Sequence, residues 1–288
     1  MIPEYLPKDC LFNVKDLRNQ RWAVPYNYEA TNTRAHVLLA ENQKFIKGKR
    51  VLDLGCHFGT FAYIALHLGA SFVKGLDSDK NLIAQAEQFF QYYHVDKKRY
   101  SFQQREVVSY LNSLDDNSFD VIFCLGLLYY IPESYYLLKQ MARVAKTIIL
   151  DTFTAYYAVI QGKDGMKFYS KIEESSFEVP LLISTRTQQK KRYYTLPGHA
   201  GVDKKCLSFL NCPTEALLYY YFESLGLSVT KLDWFAYLKN PYKHWKDLYS
   251  SEGKINAHWT DIYSTNIRVS YLLTFLPVGS ISNSGQEH

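Results

Sequence analysis

The sequence predicts an α/β fold on an open, largely parallel sheet, and three stretches predict it. The first is Val51-Leu52-Asp53-Leu54-Gly55-Cys56-His57-Phe58-Gly59, a short apolar run that breaks into a turn with glycines four apart. An apolar periodic segment then reaches Gly69, and a second strand-like run, Val73 to Asp77, ends in an acid, so the order is strand, glycine turn, helix, strand. The second stretch is Phe119 to Cys124, a nearly continuous apolar run of the kind buried on both faces of a parallel sheet. The third, Thr147 to Thr152, repeats that pattern after a helical period through Met141 and Val144.

The residue types at the first turn point to a nucleoside. Gly55 and Gly59 can take backbone angles closed to other residues, which lets the main chain approach a ligand where the helix begins. Asp77 ends its strand, where a carboxylate can accept both hydroxyls of a ribose. The turn has neither the Gly-x-Gly-x-x-Gly spacing of a pyrophosphate site nor the Gly-Lys-Ser/Thr ending of a P-loop, so the expected ligand is an adenosine without phosphates.

On Asp53, Gly55, Gly59 and Asp77 the chain resembles the class I S-adenosylmethionine-dependent methyltransferases. That resemblance implies a Rossmann-like sheet of seven strands, mostly parallel, whose final strands form an antiparallel pair, with S-adenosyl-L-methionine as cofactor. It carries over Asp53, Gly55, Cys56, His57, Gly59, Asp77 and Ser78 as cofactor-binding residues. His57 stands where the family commonly has a further glycine, and puts a side chain near the methionine end of the cofactor. Beyond the third strand, at residues 99 to 104, Glu106 occupies the place where the family puts an acid that contacts the adenine amino group; a solvated Arg105-Glu106 pair is the other reading.

The turn Leu125-Gly126-Leu127-Leu128-Tyr129-Tyr130-Ile131-Pro132 is the second informative stretch. Ligands of open parallel sheets lie at the carboxyl ends of the strands, so this loop is expected to face the sulfonium and the acceptor. It resembles the branch that contains the tRNA wobble-uridine carboxymethyltransferases and many sugar and natural-product methyltransferases, whose turn reads Gly-Val-Leu-Tyr-His. The resemblance makes Leu125 and Tyr129 cofactor residues. Tyr130 replaces the histidine, which removes a neutral-pH base and leaves its hydroxyl as a candidate catalytic group.

Along the remaining chain, residues 1 to 28 read as a loosely structured lead lying over the site, with Trp22, Tyr26 and Tyr28 as anchors. Thr31 or Thr33 is the expected cap of a helix through Leu38, Leu39 and Phe45 that stops at Gly48, so that residues 1–46 cover a domain of residues 47–278. Asp79 can cap a helix carrying Leu82, Ile83, Ala86, Phe89 and Phe90, and Pro132 fits the first position of the helix after the Tyr129 turn. Residues 153–210 depart from the core pattern and are expected to form an acceptor-binding lid, since insertions after the later strands are presented to the ligand by a rigid scaffold. Within it, Arg186 to Lys205 holds six Lys/Arg and one acid, a run that suits either a phosphate or a solvated loop. His199, in Pro-Gly-His-Ala-Gly, is either a base with a pKa near working pH or a turn residue. Pro213 is expected in the first turn of a helix ending at Leu225-Gly226, followed by strands at 227 to 235 and 267 to 275. The connection from 236 to 266, with His244, Trp245, His258 and Trp259, reads as a second wall, and residues 279–288 as a disordered tail.

With 47% hydrophobic and 21% charged residues, the composition is that of a globular protein, and the net charge of +5 neither demands nor excludes an anionic partner. No apolar run approaches the ~20 residues that cross a bilayer, so no membrane is expected. Five cysteines without a Cys-x-x-Cys pair, and an amino terminus unlike a signal, suit reduced thiols in a cytoplasmic protein. No acid cluster with ligand spacing stands near the strand ends, so no metal is expected. The expected activity is methyl transfer to a hydroxyl or nitrogen of a small-molecule or glycan acceptor. The alternative is tRNA modification by methyl or carboxymethyl transfer, the latter needing cations for the extra carboxylate, for which Arg268, Lys47 and Lys49 are candidates by location. A catalytically silent copy of the fold is the reading from another class, and the intact Asp53, Gly55, Gly59 and Asp77 argue against it.

Overall fold

The computed structural model describes residues 4–13, 25–160, 172–188, 207–248 and 257–275. Its centre is a seven-stranded sheet with strand order β3-β2-β1-β4-β5-β9-β8. β1 (Arg50–Leu54), β2 (Phe72–Asp77), β3 (Tyr100–Gln104), β4 (Val121–Leu125) and β5 (Thr147–Phe153) are parallel; β9 (Arg268–Phe275) runs antiparallel to β5 and to β8 (Leu227–Lys231). Every residue of β5 is buried, as expected of a central strand covered on both faces. Because Phe153 pairs with Arg268, antiparallel β9 begins on the same edge where the parallel strands end. That edge, where the order reverses between β1 and β4, is where an open α/β sheet holds its ligand.

Helices cover both faces. α3 (Thr60–His67) and α4 (Lys80–Tyr92) pack on one face, with α1 (Tyr28–Arg34) continuing as π-helix to Ala40 and the short α2 (Gln43–Ile46) closing the segment. On the other face lie α5 (Val107–Asn112), α6 (Ser134–Val144) and α8 (Glu215–Ser224), α7 being Ala155–Ile160. The cap of α1 is Asn27, whose side chain accepts the Ala30 N–H; Thr31 and Thr33 are buried inside the helix rather than starting it. α6 begins at Ser134, so Pro132 precedes the helix. Thr214, not Pro213, opens α8: its hydroxyl accepts the Leu217 N–H, while Pro213 ends a strand.

Residues 4–13 are more firmly held than a loose lead. The Asn32 side chain accepts the N–H groups of Tyr5 and Leu6 and donates to the Leu6 carbonyl, and Phe12 is fully buried against Tyr63, Phe89 and Phe90. After β5 the chain forms α7, then β6 (Leu182–Gln188), which pairs antiparallel with β7 (Leu207–Pro213) as a separate two-stranded sheet. β7 packs on α7 and on the Leu128–Tyr130 turn, so this sheet stands over the carboxyl edge of the main one. No helix among the described residues is long and apolar enough to cross a membrane.

Gly75, in the middle of β2, shows how tightly β1, β2 and β3 mesh. A Cβ there would lie 2.6 Å from Phe102 and 2.8 Å from Cys56 Sγ, both buried. Gly75→Ala is therefore expected to cost about 1–3 kcal/mol through overpacking, read from denaturant unfolding; an unchanged midpoint would show that Phe102 has room to yield.

Candidate active site

The glycine turn leaves β1 with positive φ at three alternate residues. Gly55 (71°), His57 (54°) and Gly59 (82°) all lie in the left-handed region, and Gly59 is the cap of α3. At Gly59 a side chain is excluded twice, since a Cβ would also sit 2.8 Å from the Phe102 ring. The turn is held by backbone bonds, Cys56 N–H to the Leu76 carbonyl and Gly59 N–H to the Cys56 carbonyl. Asp77 adds a side-chain clasp: one carboxylate oxygen accepts the His57 N–H at 3.0 Å and the other the Asp79 N–H at 2.9 Å.

Asp53 and Asp77 form a carboxylate pair behind this turn, 3% and 8% exposed. Burial, and then the charge of Asp77, push the Asp53 carboxyl up from its ordinary 3.8 to about 7. Asp77 is also raised by burial, partly offset by the N–H groups of Asp79 and His57. Among the described residues no hydrogen bond reaches the Asp53 carboxylate.

Over the turn lies Tyr26, half-buried, its ring stacked on His57 at 4.9 Å and 15°. Tyr26 is within electrostatic reach of Arg34, Arg268 and Asp53, which joins the turn to a second polar group at the end of β5. There the fully buried Asp151 carboxylate accepts from Arg268 Nη2 at 2.6 Å and Nε at 3.0 Å, from Arg34 Nη2 at 3.3 Å, and from the Ser270 and Tyr263 hydroxyls. Burial works to raise the Asp151 carboxyl, but Arg268 and Arg34 outweigh it and hold it below the usual carboxylate range.

The turn after β4 completes the edge. Gly126 has φ 90°, and its N–H donates to the Asp151 carbonyl at 2.7 Å. Tyr129 and Tyr130 are buried, their rings 4.5 Å apart, and Tyr129 packs on Phe153, itself stacked on Tyr157 at 3.6 Å. Tyr156 stacks on Phe177 and lies beside Trp245, so the wall over β4 and β5 is aromatic and drawn from four separate segments.

A family model described as a methyltransferase domain matches residues 46–200, more than half of the chain. The chain belongs to the methyltransferase domain family. A ubiquinone biosynthesis O-methyltransferase of Neisseria meningitidis serogroup C is 28% identical over 130 residues, 45% of this chain and 47% of that protein. A tRNA U34 carboxymethyltransferase of Helicobacter acinonychis is 29% identical over 142 residues, 48% and 53% respectively. The chain thus spans about half the length of the curated relatives it matches. Among solved structures, a Listeria monocytogenes protein assigned as an S-adenosylmethionine-dependent methyltransferase superposes with a TM-score of 0.52 at 13% identity, over 82% of this chain and 97% of that one. The N-terminal domain of EvdMO1, solved with S-adenosylhomocysteine and D-fucose, gives 0.50 at 16% identity, over 85% and 82%.

In this methyltransferase domain the turn residues Gly55, Cys56, His57 and Gly59 come together with Asp53 and Asp77, and Ser78 is exposed just past β2. Glu106 lies beyond β3, but as the cap of α5: its two oxygens accept the Val108 and Ser109 N–H groups. Leu125 ends β4 and is half-buried. His199 and all but the first residues of the basic run lie outside the described residues. Lys47 and Lys49 stand before β1, on the opposite edge from the site, where Lys49 pairs with Asp120 at 3.8 Å. Only Arg268 of those three cations reaches the carboxyl edge. Arg34 and Asp151 carry no motif in the sequence; an arginine with no other Lys or Arg between Arg21 and Lys44, and an acid directly after the apolar run Ile148–Leu150, are the signals it offers.

The pH dependence of Asp53 has a definite sign. A carboxyl whose folded pKa exceeds its unfolded value costs stability as pH rises from about 4 through about 7. Asp53→Asn is thus expected to stabilise the ligand-free protein at pH 8 by about 4 kcal/mol and to leave it nearly unchanged at pH 4. Denaturant titrations at the two pH values check this, and an equal effect at both would mean that Asp53 titrates as an ordinary surface acid.

Proposed function

We propose that this chain is an S-adenosylmethionine-dependent methyltransferase that acts on a hydroxyl or nitrogen of a small molecule or sugar. The observation that carries the reading is the Asp53–Asp77 pair at the left-handed glycine turn: two buried carboxylates, one with no hydrogen bond among the described residues, set where α3 begins. These residues fit an adenosylated amino acid. Asp77, whose oxygens each keep a second lone pair beside the His57 and Asp79 N–H groups, would take the ribose hydroxyls; the unspent Asp53 would face the ammonium. Gly55, Cys56, His57 and Gly59 would line the methionine side, Ser78 and Glu106 the adenosine, and Leu125 and Tyr129 the sulfonium.

When bound, S-adenosylmethionine supplies an electrophilic methyl carbon: the acceptor's lone pair forms the new bond, the carbon–sulfur bond breaks with its electrons kept by sulfur, and the acceptor gives up its proton. The chain's part is to orient and to exclude water. Tyr157, half-buried and stacked on the buried Phe153, offers flat, apolar surface to an organic acceptor. Tyr130, buried beside Tyr129, and His199 on sequence grounds are the groups proposed to receive or relay the proton.

A second reading, tRNA modification by methyl or carboxymethyl transfer, is supported by the likeness to the Helicobacter acinonychis carboxymethyltransferase. Calorimetric titration separates the two. Tight binding of S-adenosylmethionine, with no salt-dependent binding of total tRNA, is expected; preference for the carboxylated cofactor, or tRNA binding that falls steeply with salt, would promote the second reading. Asp77→Ala is expected to weaken S-adenosylmethionine roughly 100-fold or more, since it removes two hydrogen bonds to a charged group worth about 1.5–3 kcal/mol each. Unchanged affinity would show that the ribose lies elsewhere.

A further inference from the structure

The buried charges at the β5–β9 end of the site do not balance. Arg34 and Arg268 are 2% and 1% exposed, and Asp151 is the one carboxylate that bonds them among the described residues. Both arginines donate Nη2 to the same oxygen, Asp151 Oδ2, which sets two guanidinium groups side by side on a single negative charge. Two of their donors, Arg34 Nε and Arg268 Nη1, are buried with no partner among the described residues. As a strut between α1 and β5 alone, the trio would leave unpaired buried donors and an uncompensated buried charge, both of which are costly.

The cluster adjoins the reacting edge. Arg268 lies over the Phe153 ring at 4.5 Å, and its Nη2 would be 3.2 Å from a Cβ on Gly126, so a side chain at that turn would press on the guanidinium. Tyr26 links Arg34 to His57 of the glycine turn. Planar forks beside a flat apolar wall suit a carboxylate on an aromatic or similarly flat body.

Resting on the methyl-transfer reading, we propose that Arg34 and Arg268 form a carboxylate-binding subsite of the acceptor pocket, and that the acceptor is a small organic acid. Its carboxylate takes the unspent N–H groups of the two arginines and supplies the missing negative charge, while its body lies along the half-buried Tyr157, which stacks on Phe153. Arg268 then selects acids over their neutral analogues.

The test uses the full chain saturated with S-adenosylhomocysteine, titrated with 4-hydroxybenzoate, 4-hydroxyphenylacetate and the amide of each. At least one acid is expected to bind tenfold or more tightly than its amide, and Arg268→Gln to remove that preference in protein still saturated with S-adenosylhomocysteine. Should Arg268→Gln not fold, Arg268→Lys keeps a cation for Asp151 but loses the fork, and is expected to cut the preference several-fold. The proposal is overturned if neither acid binds, if acids and amides bind alike, or if the preference survives both substitutions. A carboxylated sulfonium donor that binds tenfold more tightly than S-adenosylmethionine through Arg268 would put the anion on the donor and overturn the assignment to the acceptor. Failure of S-adenosylhomocysteine itself to bind would bring down the methyl-transfer reading first, and this subsite with it.

Discussion

Asp151, with no exposed surface, receives hydrogen bonds from two arginines, a serine and a tyrosine that come from three separate parts of the chain. Arg34 brings α1, Tyr263 the segment before β9, and Arg268 and Ser270 β9 itself. Removing one partner from a dry ionic cluster leaves the rest uncompensated, so these elements are fixed relative to β5 as a set. With α1 fixed, Tyr26 just before it is placed over His57 and the glycine turn. The interaction that joins the covering helix to the sheet thus also roofs the candidate cofactor site.

The two ends of the site have opposite electrostatic character. At the β1–β2 end, Asp53 and Asp77 share a buried space with no cation among the described residues, and Asp53 is pushed up to about 7. At the β5–β9 end, Asp151 is held ionised by more positive charge than it can neutralise. A ligand with an ammonium toward the first end and an anion toward the second relieves both strains. The fold bears the cost of leaving these groups unsatisfied, which is the usual bargain of a preorganised site.

Much of the fold was legible because the signals were local. The alternation of buried strands and helical periods, the left-handed glycines and the closing acid at Asp77 depend on residues close in sequence. Helix starts were less legible: Asn27 rather than Thr31 caps α1, and Thr214 rather than Pro213 opens α8, because several adjacent residues can each cap and burial selects among them. The pairing of β6 with β7 was hidden, since its strands are joined through more than fifteen intervening residues and neither alternates clearly.

By itself the sequence determined the sheet's parallel core, the glycine turn and the acids that flank it, because each rests on backbone conformation or on periodicity within one element. Only the tertiary structure decided which charges meet. Arg34, Asp151 and Arg268 are separated by 117 residues at each step, and Glu106, legible as an acid beyond β3, accepts an N–H on each oxygen as the cap of α5. The physical reason is that a charge's partner in a dry interior is set by the topology that brings β5, β9 and α1 to one edge, and no local pattern records that meeting.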